Sequence, residues 1–311
     1  MLQYLVRRIV QMIPILLAVA LLIFVVFSVI PGTFASSVGA DGRGMLDDKV
    51  IERMNEQFGL NDPVYVRFGQ YVLDLMQLDL GDSFRTRRPV VEELASRALP
   101  TLRLIAGSML FAIVIGLPLG FLAALKPGTL LDSVSMVTAV SGLSIPKFWL
   151  GLLMMFLFAL TLGWLPSFGY GSGGLRHLIL PSIALGVAPM ALLARTTRAA
   201  VLDILNADFV RTARSKGMSE IRVVRWHLVR NALVIVLTTI GLQFGTVIGE
   251  AVVIEQLFSW PGIGSLMVDS VTLRDIPVVQ GCILVIVLFF LVVNMLIDVL
   301  CAIIDPRIKY D

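Results

Sequence analysis

Six stretches of this 311-residue chain are apolar for about as long as a helix needs to cross a bilayer core, roughly 20 residues, and they constrain it more than any other feature. They lie at 9–30, 99–125, 133–165, 178–200, 231–256 and 279–302. A segment buried in hydrocarbon must satisfy its own backbone polar groups, which a helix does. The expected fold class is therefore an all-α polytopic membrane protein with six transmembrane helices. Composition agrees, with 57% apolar and only 15% charged residues. Arg7 and Arg8 precede the first run, which is longer than a cleavable signal core and reads as a retained span.

The net charge of +3 does not point to nucleic acid, because no nucleic-acid motif accompanies the basic residues. They sit where membrane topology puts them. With the N-terminus inside, the cytoplasmic segments carry Arg7, Arg8, Lys126, Arg195, Arg198, Arg211, Arg214, Lys216, Arg222, Arg225, Arg230, Arg307 and Lys309. The two short outer loops carry only Arg176 and Arg274. Both termini are expected in the cytoplasm. Cys282 and Cys301 are 19 positions apart in the last run, about 28 Å along one helix, so they cannot bridge. His177 and His227 lie in different loops and join no Cys/His cluster, which argues against a protein-built metal site.

Residues 133–165 are too long for one straight span and too short for two, and Pro146 and Lys147 interrupt them. Two spans here would place the arginine-rich loop 195–230 outside. One broken crossing, with its irregular backbone facing protein or a water cavity, or a proline kink in a tilted helix, keeps the charge bias.

The remaining organisation is an N-terminal span (1–30), an outer segment 31–98, a core of five spans (99–302) that includes the cytoplasmic loop 201–230, and a tail 303–311. In the outer segment, Asp62 and Pro63 are placed to start a helix. Phe68, Tyr71, Val72, Leu75 and Met76 then recur at helical spacing, away from Gln70 and Asp74, and Gly81 is expected to end it. Such an amphipathic helix lies on the outer membrane face or packs on the span bundle.

The loop 201–230 predicts a short helix capped by Asn206 or Asp208, containing Ala213 and closed by Gly217. Ser219 and Glu220 then start a second helix. This basic helix–Gly–helix unit is either a handle for a soluble partner or a plain topogenic loop.

The residues Asp208-Phe209-Val210-Arg211-Thr212-Ala213-Arg214-Ser215-Lys216-Gly217 resemble the EAA loop of ABC importer permeases, with the alanine and glycine in the family spacing. Arg211 and Thr212 stand at the family's Glu-Ala positions, and Val229-Arg230 at its later Leu-Pro. The ending His227-Leu228-Val229-Arg230-Asn231-Ala232 is similar to the peptide/nickel branch. So are Leu5-Val6-Arg7-Arg8, Leu80-Gly81-Asp82-Ser83, Ser144-Ile145-Pro146-Lys147-Phe148-Trp149, Glu255 through Gly264, Asp275-Ile276-Pro277 and Asp305-Pro306-Arg307-Ile308. Pro31-Gly32-Thr33-Phe34 keeps half of the family's Pro-Gly-Asp-Pro.

That resemblance implies the type I (MetI-like) importer permease fold and a transport subunit rather than an enzyme. The loop residues Asp208, Phe209, Arg211, Thr212, Ala213, Arg214, Lys216, Gly217 and Met218 would dock on an ATPase. No Gly-x-x-x-x-Gly-Lys-[Ser/Thr] phosphate loop is present, so no cofactor is expected in this chain and ATP-Mg would be bound by two partner ATPase subunits. A second, homologous permease chain, a periplasmic substrate-binding protein and membrane lipid complete the implied partners, in the bacterial inner membrane. Trp260, Pro261 and Gly262 would face the binding protein. Length and the short loop between the third and fourth spans resemble members that import glutathione or dipeptides; nickel chelates and sugar conjugates are the alternatives, and an ion-coupled secondary transporter is the rival class.

Polar residues within spans are costly and mark candidate path positions: Ser141, Ser144, Gln243, Glu250, Asn294 and Asp298. Each has a plainer reading as a satisfied interhelical hydrogen bond. Arg103 and Lys147 read as structural or snorkelling cations. Gly241, Gly245 and Gly249 recur every four residues, so that face of the fifth span is expected to pack on a partner permease or a neighbouring span.

Overall fold

A computed structural model describes residues 2–29, 62–171 and 173–304. The Pro31–Phe34 motif, the first half of the outer segment and the tail from 305 lie outside them. Among the described residues all regular structure is helical, apart from one isolated bridge between Asp82 and Pro89. The helices are α1 (Leu2–Val29), α2 (Val64–Met76), α3 (Val90–Leu125), α4 (Leu130–Ser144), α5 (Lys147–Met154), α6 (Leu175–Leu205), α7 (Asp208–Ser215), α8 (Glu220–Val223), α9 (Arg230–Leu257), α10 (Ile263–Thr272) and α11 (Ile276–Ile304). Wider π-helical turns extend α5 over Met155–Thr161 and join α8 to α9 over Val224–Val229.

Helices α1, α3, α6, α9 and α11 are each long and apolar enough to cross a membrane. The sixth candidate crossing is the pair α4 and α5 with its π-helical extension, bent by 105° at Ile145–Pro146. That angle is far beyond a proline kink. Each limb of about 15 residues is roughly 22 Å long, short of the ~30 Å hydrocarbon core. Neither limb is long enough to cross alone, and the bend falls where Pro146 and Lys147 interrupt the apolar run.

The chain divides into two compact units. The first comprises residues 1–99 and 262–289. In it α2 packs against α1, with Phe24 flanked by Phe68 at 5.4 Å and Tyr71 at 5.9 Å between ring centroids. Of the two placements open to this amphipathic helix, the structure shows packing on a span. Burial pushes the Tyr71 hydroxyl up to about 12. The expected ends of α2 shift. Pro63, not Asp62, is its cap residue and no side chain caps it. It closes at Met76, where Leu78 already turns left-handed (φ 60°), and Gly81 (φ 72°) serves the next loop.

That loop is held by a buried carboxylate. Asp275 accepts hydrogen bonds from Ser83 Oγ (2.5 Å), Phe84 N (3.1 Å) and Arg85 N (3.4 Å). Beneath it Val90, Leu94, Ile263, Val278 and Cys282 form a buried apolar cluster. The helix expected from 99 begins at Val90 because Glu92 and Glu93 sit in its first turn, where carboxylates favour the helix dipole although they end the apolar run.

The second unit comprises residues 100–261 and 290–311. Its central element is α6, whose Leu180, Ala184, Leu185, Ala191 and Leu193 are buried, and α4, α5 and α9 pack around it. Small residues let α3 approach it closely. A Cβ on Gly116 would stand 2.6 Å from the Met190 carbonyl oxygen, one on Gly120 closer still to that of Ala194, and one on Gly186 2.6 Å from that of Ser108. Backbones this close require glycine. The Gly241 and Gly245 face of α9 packs on the neighbouring span, against Ile297 and Phe290 of α11. Gly249 borders open space.

Candidate functional site

Two places in the second unit concentrate polar chemistry. The first is a cavity of about 500 Å³ at the break between α4 and α5, lined by Ile145, Pro146, Lys147, Gln243, Thr246 and Glu250 together with apolar side chains such as Phe148 and Val253. The proline ends α4 and aims the first residue of α5 into this space. Gln243, Thr246 and Glu250 follow at i, i+3 and i+7 along α9, one helical stripe. Lys147 Nζ pairs with a Glu250 carboxylate oxygen, and the two side chains are 18% and 45% exposed. Thr246 Oγ1 donates to the Gln243 carbonyl oxygen at 2.9 Å. A partly buried charge without a partner is costly, so each member of this pair offsets the cost of the other.

Of the expected path residues, the structure brings Gln243 and Glu250 into this cavity and leaves the others out. Ser141 and Ser144 are exposed on α4, and Ser144 Oγ returns its hydrogen bond to Val140 O at 2.9 Å. Asn294 donates to Phe290 O of its own helix at 2.8 Å. Asp298, one turn further on, is half-buried and does not line the cavity. Lys147 was not among the expected path residues, although an intramembrane cation implies an anionic partner. Thr246 gave no signal of its own.

The second place is the loop between α6 and α9. Its helix α7 starts from Ala207 with no side-chain cap, so neither Asn206 nor Asp208 caps it. Its end is as the sequence predicts. Gly217 is left-handed (φ 80°), Gly217 N donates to Arg214 O at 2.9 Å and Met218 N to Ala213 O at 3.2 Å, a Schellman closure. Val210 (0% exposed) and Ala213 are buried in one cluster with Ala124, Val201, Val223 and Leu228, against which Met218 packs. Burying a valine side chain contributes about 1.5–3 kcal/mol, which fastens α7 to the span ends. The opposite face exposes Asp208, Phe209, Arg211, Thr212 and Lys216. Arg214 forks onto Glu220 with Nε–Oε1 2.8 Å and Nη2–Oε2 3.1 Å, tying α7 to α8.

The expected outward-facing tripeptide is placed differently. Trp260 is 1% exposed. Its Nε1 donates to Pro100 O at 2.9 Å and its ring meets Tyr170 edge-on at 4.7 Å. This is an internal anchor, because an indole this enclosed has no face left for a soluble partner; Gly262 is buried as well and Pro261 half-buried. Tyr170 also holds Arg103, whose Nη1 donates to its hydroxyl at 2.6 Å. Arg103 is thus structural. Beside it Thr101 donates to the fully buried Glu255 at 2.6 Å.

Apolar helices around an open, charged cavity, with an amphipathic helix pinned to the ends of long apolar helices, define a polytopic membrane permease subunit. Residues 116–310 match the model of the binding-protein-dependent transport system inner membrane component, and residues 1–105 that of the N-terminal part of such membrane components. The chain belongs to this family of binding-protein-dependent importer permeases. It is 44% identical over 310 residues, the whole of both chains, to the glutathione transport system permease protein GsiC of Escherichia coli O6:H1 (strain CFT073) and to that of Salmonella typhi. Among solved structures it resembles a chain of the MetNI methionine ABC transporter in an inward-facing conformation, with TM-score 0.58 and 21% identity over 68% of this chain and 96% of that one. A chain of an amino acid ABC transporter crystallised with histidines gives TM-score 0.53 and 16% identity over 70% and 95%.

Proposed function

We propose that this chain is one of two homologous permease subunits of an ATP-driven importer in the bacterial inner membrane, with both termini cytoplasmic, and that it carries glutathione or similar small peptides. The observation that carries this is the two-faced helix α7. Val210 and Ala213 bind it to the span ends while Phe209, Arg211, Thr212 and Lys216 face outward. An exposed aromatic among cations suits a groove on a soluble ATPase, since aromatic and arginine anchors dominate such interfaces. The ATPase pair binds and hydrolyses ATP-Mg, a periplasmic protein delivers the solute, and this chain supplies the path, with Gln243 and Glu250 on its wall. The peptide assignment rests on the names of the full-length relatives.

The test labels Lys216→Cys with an impermeant thiol reagent in intact cells and in inverted membrane vesicles, and measures ATP hydrolysis on the purified complete complex. Labelling from the cytoplasmic side only, protection when the ATPases are bound, and loss of binding-protein-stimulated ATP hydrolysis in Phe209→Ala are expected. Labelling from outside the cell, or complexes that never contain ATPase subunits, would overturn the reading.

A further inference from the structure

The ion pair is accessible from the cavity and neutral as a whole, and this combination limits what can replace it. Glu250 is nearly half exposed and Lys147 retains 18% exposure, so a solute in the cavity reaches both charged groups. A lone cation attracted by Glu250 would strip Lys147 of its counter-charge, and a lone anion would do the same to Glu250. Leaving one member of a partly buried pair uncompensated is the costly outcome. A solute carrying an ammonium and a carboxylate replaces both halves at once. Gln243 and Thr246, on the same stripe of α9, bring an amide and a hydroxyl to the wall, the groups that hydrogen-bond a peptide unit. A volume of about 500 Å³ falls in the range of small-molecule sites.

We propose that Lys147 and Glu250 form a two-point receptor for zwitterionic peptides: Lys147 takes the solute's carboxylate, Glu250 takes its ammonium, and the two close on each other when the solute leaves. This rests on the importer reading and narrows its substrate class to peptides with a free amino group and a free carboxylate. Single-sign ions and end-blocked conjugates are disfavoured by the pair itself.

The test uses the complete complex in proteoliposomes with saturating binding protein. The probes are glutathione and dialanine, each compared with its N-acetyl derivative. Glu250→Gln should slow uptake of the free-amino probes by about tenfold or more, the worth of a charged hydrogen bond, and leave the N-acetyl probes within about twofold. Lys147→Gln should slow all four, and Lys147→Arg should keep most of the rate. Binding-protein-stimulated ATP hydrolysis should persist in every variant. Unchanged uptake of the free-amino probes in Glu250→Gln and Lys147→Gln overturns the proposal. So does joint loss of uptake and ATP hydrolysis, which would make the pair a strut. Should the neutral variants not assemble, the wild-type complex decides, using binding protein first shown to be fully loaded with each probe: slower uptake of N-acetyl probes supports the receptor, and equal rates refute it. Absence of ATP hydrolysis in the wild-type complex is a different result and removes the importer reading instead.

Discussion

The Asp132 carboxylate at the start of α4 grips the Arg198 guanidinium of α6 through two hydrogen bonds, 2.5 Å from Nε and 2.8 Å from Nη2. Asp132 also accepts from Gly128 N at 3.0 Å, so one carboxylate fixes the turn between α3 and α4 and joins that turn to the central helix. Asp132→Ala and Arg198→Ala should each lower the thermal midpoint of the purified complex by several degrees. The double variant should fall by less than the two single shifts combined, because the pair is one interaction. Additive shifts would show that the two side chains act separately. Dye labelling of the buried Cys282 and Cys301 reads the transition.

Glycine tolerance should divide by what each Cβ would meet. Gly120→Ala drives a methyl group into the Ala194 carbonyl, a backbone atom that cannot step aside. It should sharply reduce recovery of assembled complex. Gly245→Ala meets the edge of the Phe290 ring at 2.5 Å, a side chain that can turn, and Gly249→Ala meets open space. Quantifying membrane-extracted complex for the three variants checks the order: Gly120 worst, Gly245 intermediate, Gly249 near wild type.

The Schellman closure of α7 sets a third expectation. Gly217→Ala forces a β-carbon into a left-handed residue at a cost of about 1 kcal/mol. Protease susceptibility of the loop 206–226 should rise while the span core stays intact. Breaking the exposed Arg214–Glu220 fork, whose side chains are 41% and 65% exposed, should change stability by less than about 1 kcal/mol.

Much of this was legible in the sequence because it is local. The long apolar helices follow from run length, the break in the third run from Pro146 and Lys147, and the end of α7 from Gly217. The helix starts were not: Glu92 and Glu93 hide the first turn of α3 by interrupting its apolar run. The site itself was half visible. Gln243 and Glu250 share a stripe of one helix, whereas Lys147 reaches Glu250 across 103 positions, a contact that spacing cannot reveal. Trp260 misled for a related reason. Its outward placement came from the family resemblance, and only the distant Pro100 carbonyl and Tyr170 ring explain why the indole points inward.

Trp260 supplies a fourth expectation. Trp260→Ala should destabilise by about 3–5 kcal/mol, since it empties a fully enclosed site. Trp260→Phe retains most of the packing and loses the bond to Pro100 O, worth about 1 kcal/mol. Unfolding midpoints of the two variants should separate accordingly. Equal, small effects would place the indole on a compliant surface instead.

The π-helical turn at Val224–Val229 lets α8 run into α9 with no non-helical residue between Glu220 and Leu257. About 30 residues, roughly 45 Å of helix, separate the end that touches α7 from the end that carries Glu250. A rod of that length turned through a few degrees at one tip swings the other by several ångströms. The π-helical stretch Val224–Val229 is the irregular part of that path, so any motion passed from α7 toward Glu250 must travel through those six residues.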